Sequence, residues 1–299
     1  MILREIKELI NYHRKYTIRF AEHDCRNVFK KAKMDLKSFG FDGFKGKKIL
    51  DLGCGQRFSF SLQCAEEEGN VVALDLDYVK PDVMPLYFLQ TAKYNGLKRA
   101  FKSILRRIFF DDKYYRTLEK TYGNPLLNNK NKIEFVVADP KNVKYLLPSE
   151  SFDLIFTNAV IEHVKNISLF ASEILRLLRI GGYFYGIIHN FYSLSGGHNL
   201  EWAFPDEQPS QRVPPWDHLR QNYYPSWAPL NKLKPEKYEN AFSKHMDILL
   251  FEGKDINHDL GKFEGEKFLT PDIEEELHKY PRDLLLIRSF CIICKKNKI

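Results

Sequence analysis

The residues best suited to chemistry lie in one short stretch, Asp51-Leu52-Gly53-Cys54-Gly55, followed 20 residues after Gly55 by Asp75. The first stretch ends the apolar run Ile49-Leu50, and Asp75 ends a second one, Val71-Val72-Ala73-Leu74. This pattern predicts a buried strand, a tight glycine turn, a helix and a second buried strand closing on a carboxylate. Such a turn lets backbone approach a ligand closely, and an acid at the next strand end accepts hydrogen bonds from ribose hydroxyls. A nucleoside is the ligand class that this pairing favours. A Gly-x-Gly turn alone also serves where a strand packs on a helix, so the weight rests on the acid that follows.

Histidines are the second chemical resource, because imidazole titrates near neutrality. His189 ends an apolar run, and His198 follows Ser195-Gly196-Gly197 with Asn199 and Glu201 close by to orient it. Both are candidate general bases. His163, in Glu162-His163-Val164, is explained as well by capping and packing. Glu201, Trp202 and Trp216 are candidates for the wall of an acceptor pocket, with Trp202 equally able to anchor its loop.

These residues need elements to hold them. Strands are predicted at 47–52, 71–76, 133–138, 152–157 and 183–188, with helices at about 59–68 and 166–179; Gly181-Gly182 stops the second helix. Strands alternating with helices imply a parallel sheet covered on both faces. Residues 3–38 carry a charged helical period before the glycines at 40, 43 and 46. Two segments exceed a simple crossover. Residues 79–131 read as three helices, reaching about Tyr94, spanning 97–110, and running from Asp111 to Tyr122. Residues 190–233 are aromatic and irregular, the mark of a lid or binding loop. A helix near 235–243 and apolar runs at 246–251 and 284–294 follow, the two runs reading as an antiparallel edge pair.

Composition limits the alternatives. The 299 residues carry a formal charge of +7 spread along the chain, with 23 Phe and 16 Tyr. The charge permits anionic partners without selecting one. Cys291 and Cys294 have C-x-x-C spacing but no second pair to complete a tetrahedral metal site, so both read as small core residues. No apolar stretch reaches the ~20 residues of a bilayer span. The alternating start Met1 to Glu8 lacks a signal-peptide core, which makes the cytoplasm the expected location.

Taken together, Ile49-Leu50-Asp51-Leu52-Gly53-Cys54-Gly55, Ala73-Leu74-Asp75, Val137-Ala138-Asp139, Phe152-Asp153-Leu154-Ile155, Ile161-Glu162-His163-Val164 and Glu173 through Gly182 resemble the class I S-adenosylmethionine-dependent methyltransferases. The resemblance covers roughly 45–190. It implies a Rossmann-like α/β fold with a seven-stranded sheet, mostly parallel, whose last two strands form an antiparallel hairpin. Residues 1–44 would then be a helical extension and 45–299 the methyltransferase domain, with 79–131 and 190–233 inserted in it.

The resemblance also implies roles. Gly53, Cys54 and Gly55 would pass close to the amino-acid end of S-adenosylmethionine, and Asp51 would lie near its ammonium. Asp75 would take the ribose hydroxyls, and Leu76 or Asp77 would border the adenine. Asp139 would accept from the adenine amine, and Asn158 would face the methyl donor. Gln56-Arg57-Phe58 departs from the many members that carry a third glycine. A poorly characterised bacterial subset shares Gly55-Gln56-Arg57 and Ser195 to His198, and some of its members look associated with surface polysaccharide.

The expected reaction is methyl transfer to a small-molecule or glycan-type acceptor, at oxygen, with a histidine base. Nucleic acid is disfavoured as acceptor because Asn158-Ala159-Val160-Ile161 stands where base-amino methyltransferases resembling this fold carry Asn/Asp-Pro-Pro-aromatic. A non-catalytic scaffold is the remaining alternative, and a nicotinamide oxidoreductase suits the glycine pattern least. The basic, amphipathic segment 97–110 is either an ordinary surface helix or a peripheral membrane contact. Oligomeric state is not legible.

Overall fold

Strand β1 (Lys48–Leu52) buries its centre, Ile49, Leu50 and Asp51. It lies between two other parallel strands, β2 (Asn70–Asp75) and β4 (Phe152–Asn158). Strands covered on both faces need continuous rather than alternating apolar runs, which is why Val71 to Leu74 are all buried. The computed structural model describes residues 2–80, 84–138, 146–205, 209–226 and 229–297. With β3 (Glu134–Val137), β5 (Leu178–His189), β6 (Asp247–Lys254) and β7 (Ser289–Lys295), the sheet has seven strands in the order β3-β2-β1-β4-β5-β7-β6. β3 is parallel to β2, whereas β7 pairs antiparallel with both β5 and β6. This is the Rossmann-like methyltransferase sheet, reversed C-terminal pair included.

The chain divides into two compact units, Met1–Phe156 and Thr157–Ile299. In the first, helix α1 (Ile2–His23) continues through a π-helical turn, Asp24–Lys30, into α2 (Lys31–Ser38). The core gathers Phe29, Phe44 and Phe60, and Phe60 stacks face to face on Phe156 of β4 at 3.6 Å. Helix α3 (Ser59–Glu66) ends where Gly69 donates to the Cys64 carbonyl at 2.9 Å. A Cβ at Gly69 would come within 2.7 Å of the Ile49 side chain, so the turn needs glycine to bring α3 back onto β1. Asp153 pairs rather than binds a ligand: it accepts from the Lys48 backbone at 2.7 Å.

The first long segment forms α4 (Leu86–Asn95), α5 (Leu97–Arg106), a π-helical turn at Arg107–Asp111, and α6 (Asp112–Tyr122). α5 turns Ala100 and Ser103 inward, with Ile104 and Leu105 half-buried. Leu97, Phe101, Ile108 and Phe109 are exposed, at 71, 51, 63 and 62 %.

In the second unit, α7 (Ile167–Leu177) starts under an Asn166 cap, whose side chain accepts from Leu169 N–H at 3.0 Å. It ends two residues earlier than expected, because Leu178-Arg179-Ile180 already belongs to β5. α8 (Pro235–Ser243) matches its expected span, and its Phe242 stacks on Phe184 of β5 at 5.0 Å. Two short helices follow, α9 (Pro271–Glu276) and α10 (Arg282–Leu286). The run 284–294 is therefore not one strand: its first three residues are helical, and of the antiparallel pair β7 lies inside the sheet while β6 is an edge strand. Cys291 and Cys294 are buried, free thiols on β7. Three residues apart on a strand, they point to opposite faces and cannot share a ligand. Among the described residues, no helix is long and apolar enough to cross a membrane.

Candidate functional site

The chemistry-bearing residues form two local constellations, one in each unit. In the first, the chain leaves β1 through Gly53 and Gly55, whose φ angles of +78° and +63° lie in the left-handed region that glycine adopts without strain. Gly53 and Cys54 N–H both donate to the Leu74 carbonyl, at 2.7 and 3.1 Å, tying the turn to the end of β2. The Asp75 carboxylate is held at each oxygen. Gly55 N–H donates to Oδ2 and Asp77 N–H to Oδ1, both at 2.9 Å. One bond per oxygen fixes the group and leaves acceptor capacity on both for a diol. A Cβ at Gly55 would meet nothing within 4 Å, so the turn opens onto free space. Leu76, 62 % exposed, offers an apolar surface next to the acid.

Asp51 is almost completely buried and accepts a hydrogen bond from Ser61 Oγ at 2.5 Å. Burial pushes its pKa up to about 7; Ser61 opposes the rise, and the nearby Asp75 charge adds to it. Burial also keeps the half-buried Cys54 thiol neutral, which removes it as a nucleophile. A fixed diol acceptor, a turn stripped of Cβ atoms on its open side and a buried carboxyl near neutrality suit a nucleoside carrying a cationic tail. Asp139 lies outside the described residues.

The departure at Gln56-Arg57 is resolved by packing. Gln56 Nε2 donates to Ser103 Oγ of α5 at 3.0 Å. Arg57 Nε meets Asp111 Oδ1 at 3.1 Å, and its guanidinium lies 4.1 Å over the Tyr114 ring. Arg106 binds the same carboxylate, with Nε at 3.1 Å and Nη2 at 3.2 Å. The residues after the second glycine thus clamp the turn to the inserted helices. Asp77 pairs with Arg99 of α5. This anchoring role escaped the sequence reading, because Arg57 and Asp111 are 54 residues apart.

The second constellation forms around Glu162, on a short turn between β4 and α7. Asn231 pins that turn: its Nδ2 donates to the Ile161 and Val164 carbonyls at 2.9 and 3.0 Å, and its N–H to Glu162 O at 2.8 Å. Tyr238 of α8 orients Asn231 through a 2.7 Å bond. Glu162 is thereby carried inward at 1 % exposure, and neither carboxylate oxygen meets a hydrogen-bond partner. Burial raises its pKa to about 8, moderated by the nearby backbone N–H groups of Glu162 and His189.

His198 Nε2 lies 4.0 Å from Glu162 Oε1. The His189 ring is 4.7 Å from the His198 ring, and His163 meets His198 edge-on at 5.2 Å. Burial, followed by the neighbouring His163, lowers the His198 pKa to about 4; burial and His198 hold His189 well below its ordinary value. Near pH 7 both imidazoles are neutral and Glu162 carries its proton.

The loop after β5 makes this grouping. Ser195 Oγ sits 3.1 Å from His189 Nε2, and His198 takes a left-handed φ of +56° with its N–H on Ser195 O at 2.9 Å. Gly196 approaches so closely that a Cβ would lie 2.1 Å from the Phe191 carbonyl oxygen. Sequence reasoning singled out His189 and His198 but not Glu162 as their companion; its signal was the acid beside His163.

Two expectations for this region are corrected. Asn199 and Glu201 do not orient His198, because Asn199 donates to Tyr224 O at 3.2 Å and Glu201 accepts from Arg212 Nε at 2.9 Å. Trp202 and Trp216 are not an acceptor wall. Both are buried with Leu194, Val213, Leu269, Leu277 and Leu285 in a core of their own. His163 is held by its Nδ1 on the Pro229 carbonyl at 2.8 Å. Asn158 ends β4, half-buried, at the start of the second unit.

A family described as a methyltransferase domain matches residues 25–226. No curated protein matches the sequence. Among solved structures, the chain is similar to an S-adenosylmethionine-dependent methyltransferase from Mesorhizobium loti, at 17 % identity, TM-score 0.46, over 88 % of this chain and 96 % of that one. It is also similar to geranyl diphosphate C-methyltransferase from Streptomyces coelicolor, at 13 % identity, TM-score 0.46, over 89 % and 80 %. A third is Haemonchus contortus phosphoethanolamine N-methyltransferase 2, at 14 % identity, TM-score 0.46, over 93 % and 56 %. The family match spans two thirds of the chain, and the sheet order and reversed C-terminal pair agree with it. The chain belongs to the class I S-adenosylmethionine-dependent methyltransferases and is an enzyme of that class.

Proposed function

We propose that this enzyme methylates an oxygen of a small-molecule or glycan-type acceptor. The observation carrying the reading is the group formed by buried Glu162 and the half-buried His189 and His198. Methylating a hydroxyl or phenol requires its proton to be taken up, whereas a substrate amine at high pH brings its own lone pair. Two neutral imidazoles beside a carboxyl are equipped for that task. His198 is the proposed base, with the neutral His189 ring beside it.

S-adenosylmethionine supplies an electrophilic methyl on a sulfonium, displaced in line by the acceptor oxygen. Gly53, Cys54 and Gly55 would accept close approach of its amino-acid end, Asp75 its ribose, and Leu76 the edge of its adenine. Asp51 would face the ammonium, with Asp139 and Asn158 as further contacts. A cation beside Asp51 favours its ionised form, so binding at a pH just below 7 is expected to release up to one proton. Calorimetry of S-adenosylhomocysteine binding in two buffers of different ionisation enthalpy reads this directly. Identical heats in both buffers would remove Asp51 from that role. In the ligand-free protein the sign is also defined. A carboxyl raised to about 7 from 3.8 holds its proton longer folded than unfolded, so its contribution to stability declines as pH rises from about 4 to 7.

The acceptor is tested with sugars, glycolipids and phenols, following demethylated cofactor and the mass of the product. A methyl ether is the expected product, and His198→Ala is expected to lower kcat by about 10²–10⁴-fold. A methylated amine or nucleic acid would overturn the oxygen assignment. The exposed Leu97, Phe101, Ile108 and Phe109 beside Lys98 and Lys102 also support peripheral contact with an anionic membrane. Sedimentation with anionic vesicles tests this contact, and protein left wholly in the supernatant would rule it out.

A further inference from the structure

We infer that Glu162, His189 and His198 form a binding site for a divalent transition-metal ion of the zinc class. Each of the three offers one donor atom, and the three atoms lie within 4.8 Å of one another. A metal bonded at about 2.1 Å in tetrahedral geometry holds its ligands about 3.4 Å apart. The His198 Nε2 to Glu162 Oε1 separation of 4.0 Å is already close to that value. Side-chain rotations would bring the other donor atoms, now within 4.8 Å of one another, toward that spacing.

An independent observation points to a cation here. Glu162 is buried at 1 % exposure with both carboxylate oxygens lacking hydrogen-bond partners. A carboxyl withdrawn from water without partners is costly, and a cation at this position would satisfy it. Ser195 Oγ, 3.1 Å from His189 Nε2, is placed to fix the orientation of that ring, as partners of metal-bound histidines do. The pinning of residues 161–164 by Asn231 gives the carboxylate a rigid mount.

The donor set selects the ion. Two imidazoles and one carboxylate suit Zn²⁺, Co²⁺ or Fe²⁺, whereas Mg²⁺ and Ca²⁺ prefer oxygen ligands throughout. Three protein ligands leave at least one position for water or an oxygen donor such as a hydroxyl, phenol or carboxylate. The site itself does not depend on what is methylated. Its use, holding and acidifying an acceptor hydroxyl, rests on the oxygen-methylation reading; with the metal bound, His198 would be a ligand instead of the base and the acidified hydroxyl's proton would pass to solvent.

The experiment titrates chelator-stripped full-length protein with Co²⁺, following visible d–d absorption, and with Zn²⁺ in competition. One equivalent of bound Co²⁺ is expected, with a four- or five-coordinate spectrum that Zn²⁺ erases and Mg²⁺ does not. Glu162→Gln and His198→Ala are each expected to weaken Co²⁺ binding at least tenfold, with far-UV circular dichroism checking that the variants fold. Absence of the spectrum in the wild-type protein would overturn the site without reference to any variant. So would wild-type affinity in both folded variants. S-adenosylhomocysteine binding to the same stripped sample reads the methyl-donor site separately, so failure of the metal site and failure of the methyltransferase reading give different results.

Discussion

Asp75→Ala is expected to weaken S-adenosylhomocysteine binding by about 10²–10⁴-fold. The carboxylate would accept two ribose hydroxyls, and hydrogen bonds to a charged group contribute about 1.5–3 kcal/mol each. The substitution also releases Gly55 and Asp77 N–H, which hold the acid at 2.9 Å on each side, so the turn loses its template along with the ligand. Asp75→Asn separates the two effects. It keeps one carbonyl acceptor at nearly unchanged shape, and its affinity is expected to fall between wild type and alanine. Isothermal titration reads all three proteins. Micromolar binding that survives in Asp75→Ala would show that the ribose is held elsewhere and would remove the central contact from the cofactor assignment.

Asp111→Ala is expected to destabilise the protein by about 3–5 kcal/mol, the range for breaking a buried ion pair on one side. Asp111 lies on the π-helical turn between α5 and α6, its side chain 8 % exposed, and neutralises Arg57 and Arg106, which are 15 and 12 % exposed. Removing it strands two guanidinium groups with little water. His13 marks how positive the surroundings are: after burial, Arg57 and Arg106 are the causes that lower its pKa to about 4, and Asp111 opposes them. Urea denaturation followed by circular dichroism measures the loss. Asp111→Ala combined with Arg106→Met is expected to cost less than the sum of the single changes, because the second removes a charge that the first left unpaired. A shift below about 1 kcal/mol for Asp111→Ala would mean that solvent, not this carboxylate, compensates the arginines. Because Arg57 follows Gly55 by two residues, the same change is expected to weaken cofactor binding even in folded protein.

These two residues differ in how far they can be read from the chain. Asp75 follows Gly55 by 20 residues within one strand–turn–helix–strand unit, whose period and glycine positions are local. A buried strand must be apolar throughout, a turn must carry glycine where φ is positive, and the residue ending the next strand necessarily stands beside that turn. The order of motifs through Gly182 carried the same information to the whole parallel part of the sheet. Boundaries slipped where two elements abut with no polar break between them: Leu178-Arg179-Ile180 suits a helix end and a strand start equally, and Leu284-Leu285-Leu286 suits a helix as well as a strand.

Asp111, by contrast, acquires its meaning only when α5 and α6 fold back over the glycine turn. The outward face of α5 likewise followed from which neighbours its small residues, Ala100 and Ser103, had to accommodate. Trp202 and Trp216 looked like ligand-facing aromatics in an irregular loop, but a loop of that size needs a core of its own, and its largest side chains supply it. Glu162, His189 and His198 are separated by 27 and then 9 residues, on a turn, a strand end and a glycine loop. No periodicity links such positions. Sequence by itself determined the sheet, the glycine turn and the acid proposed to read the cofactor, because those depend on neighbours along the chain. Tertiary structure decided which buried groups meet, because desolvation and the closing of a loop around Gly196 and Gly197 act through space.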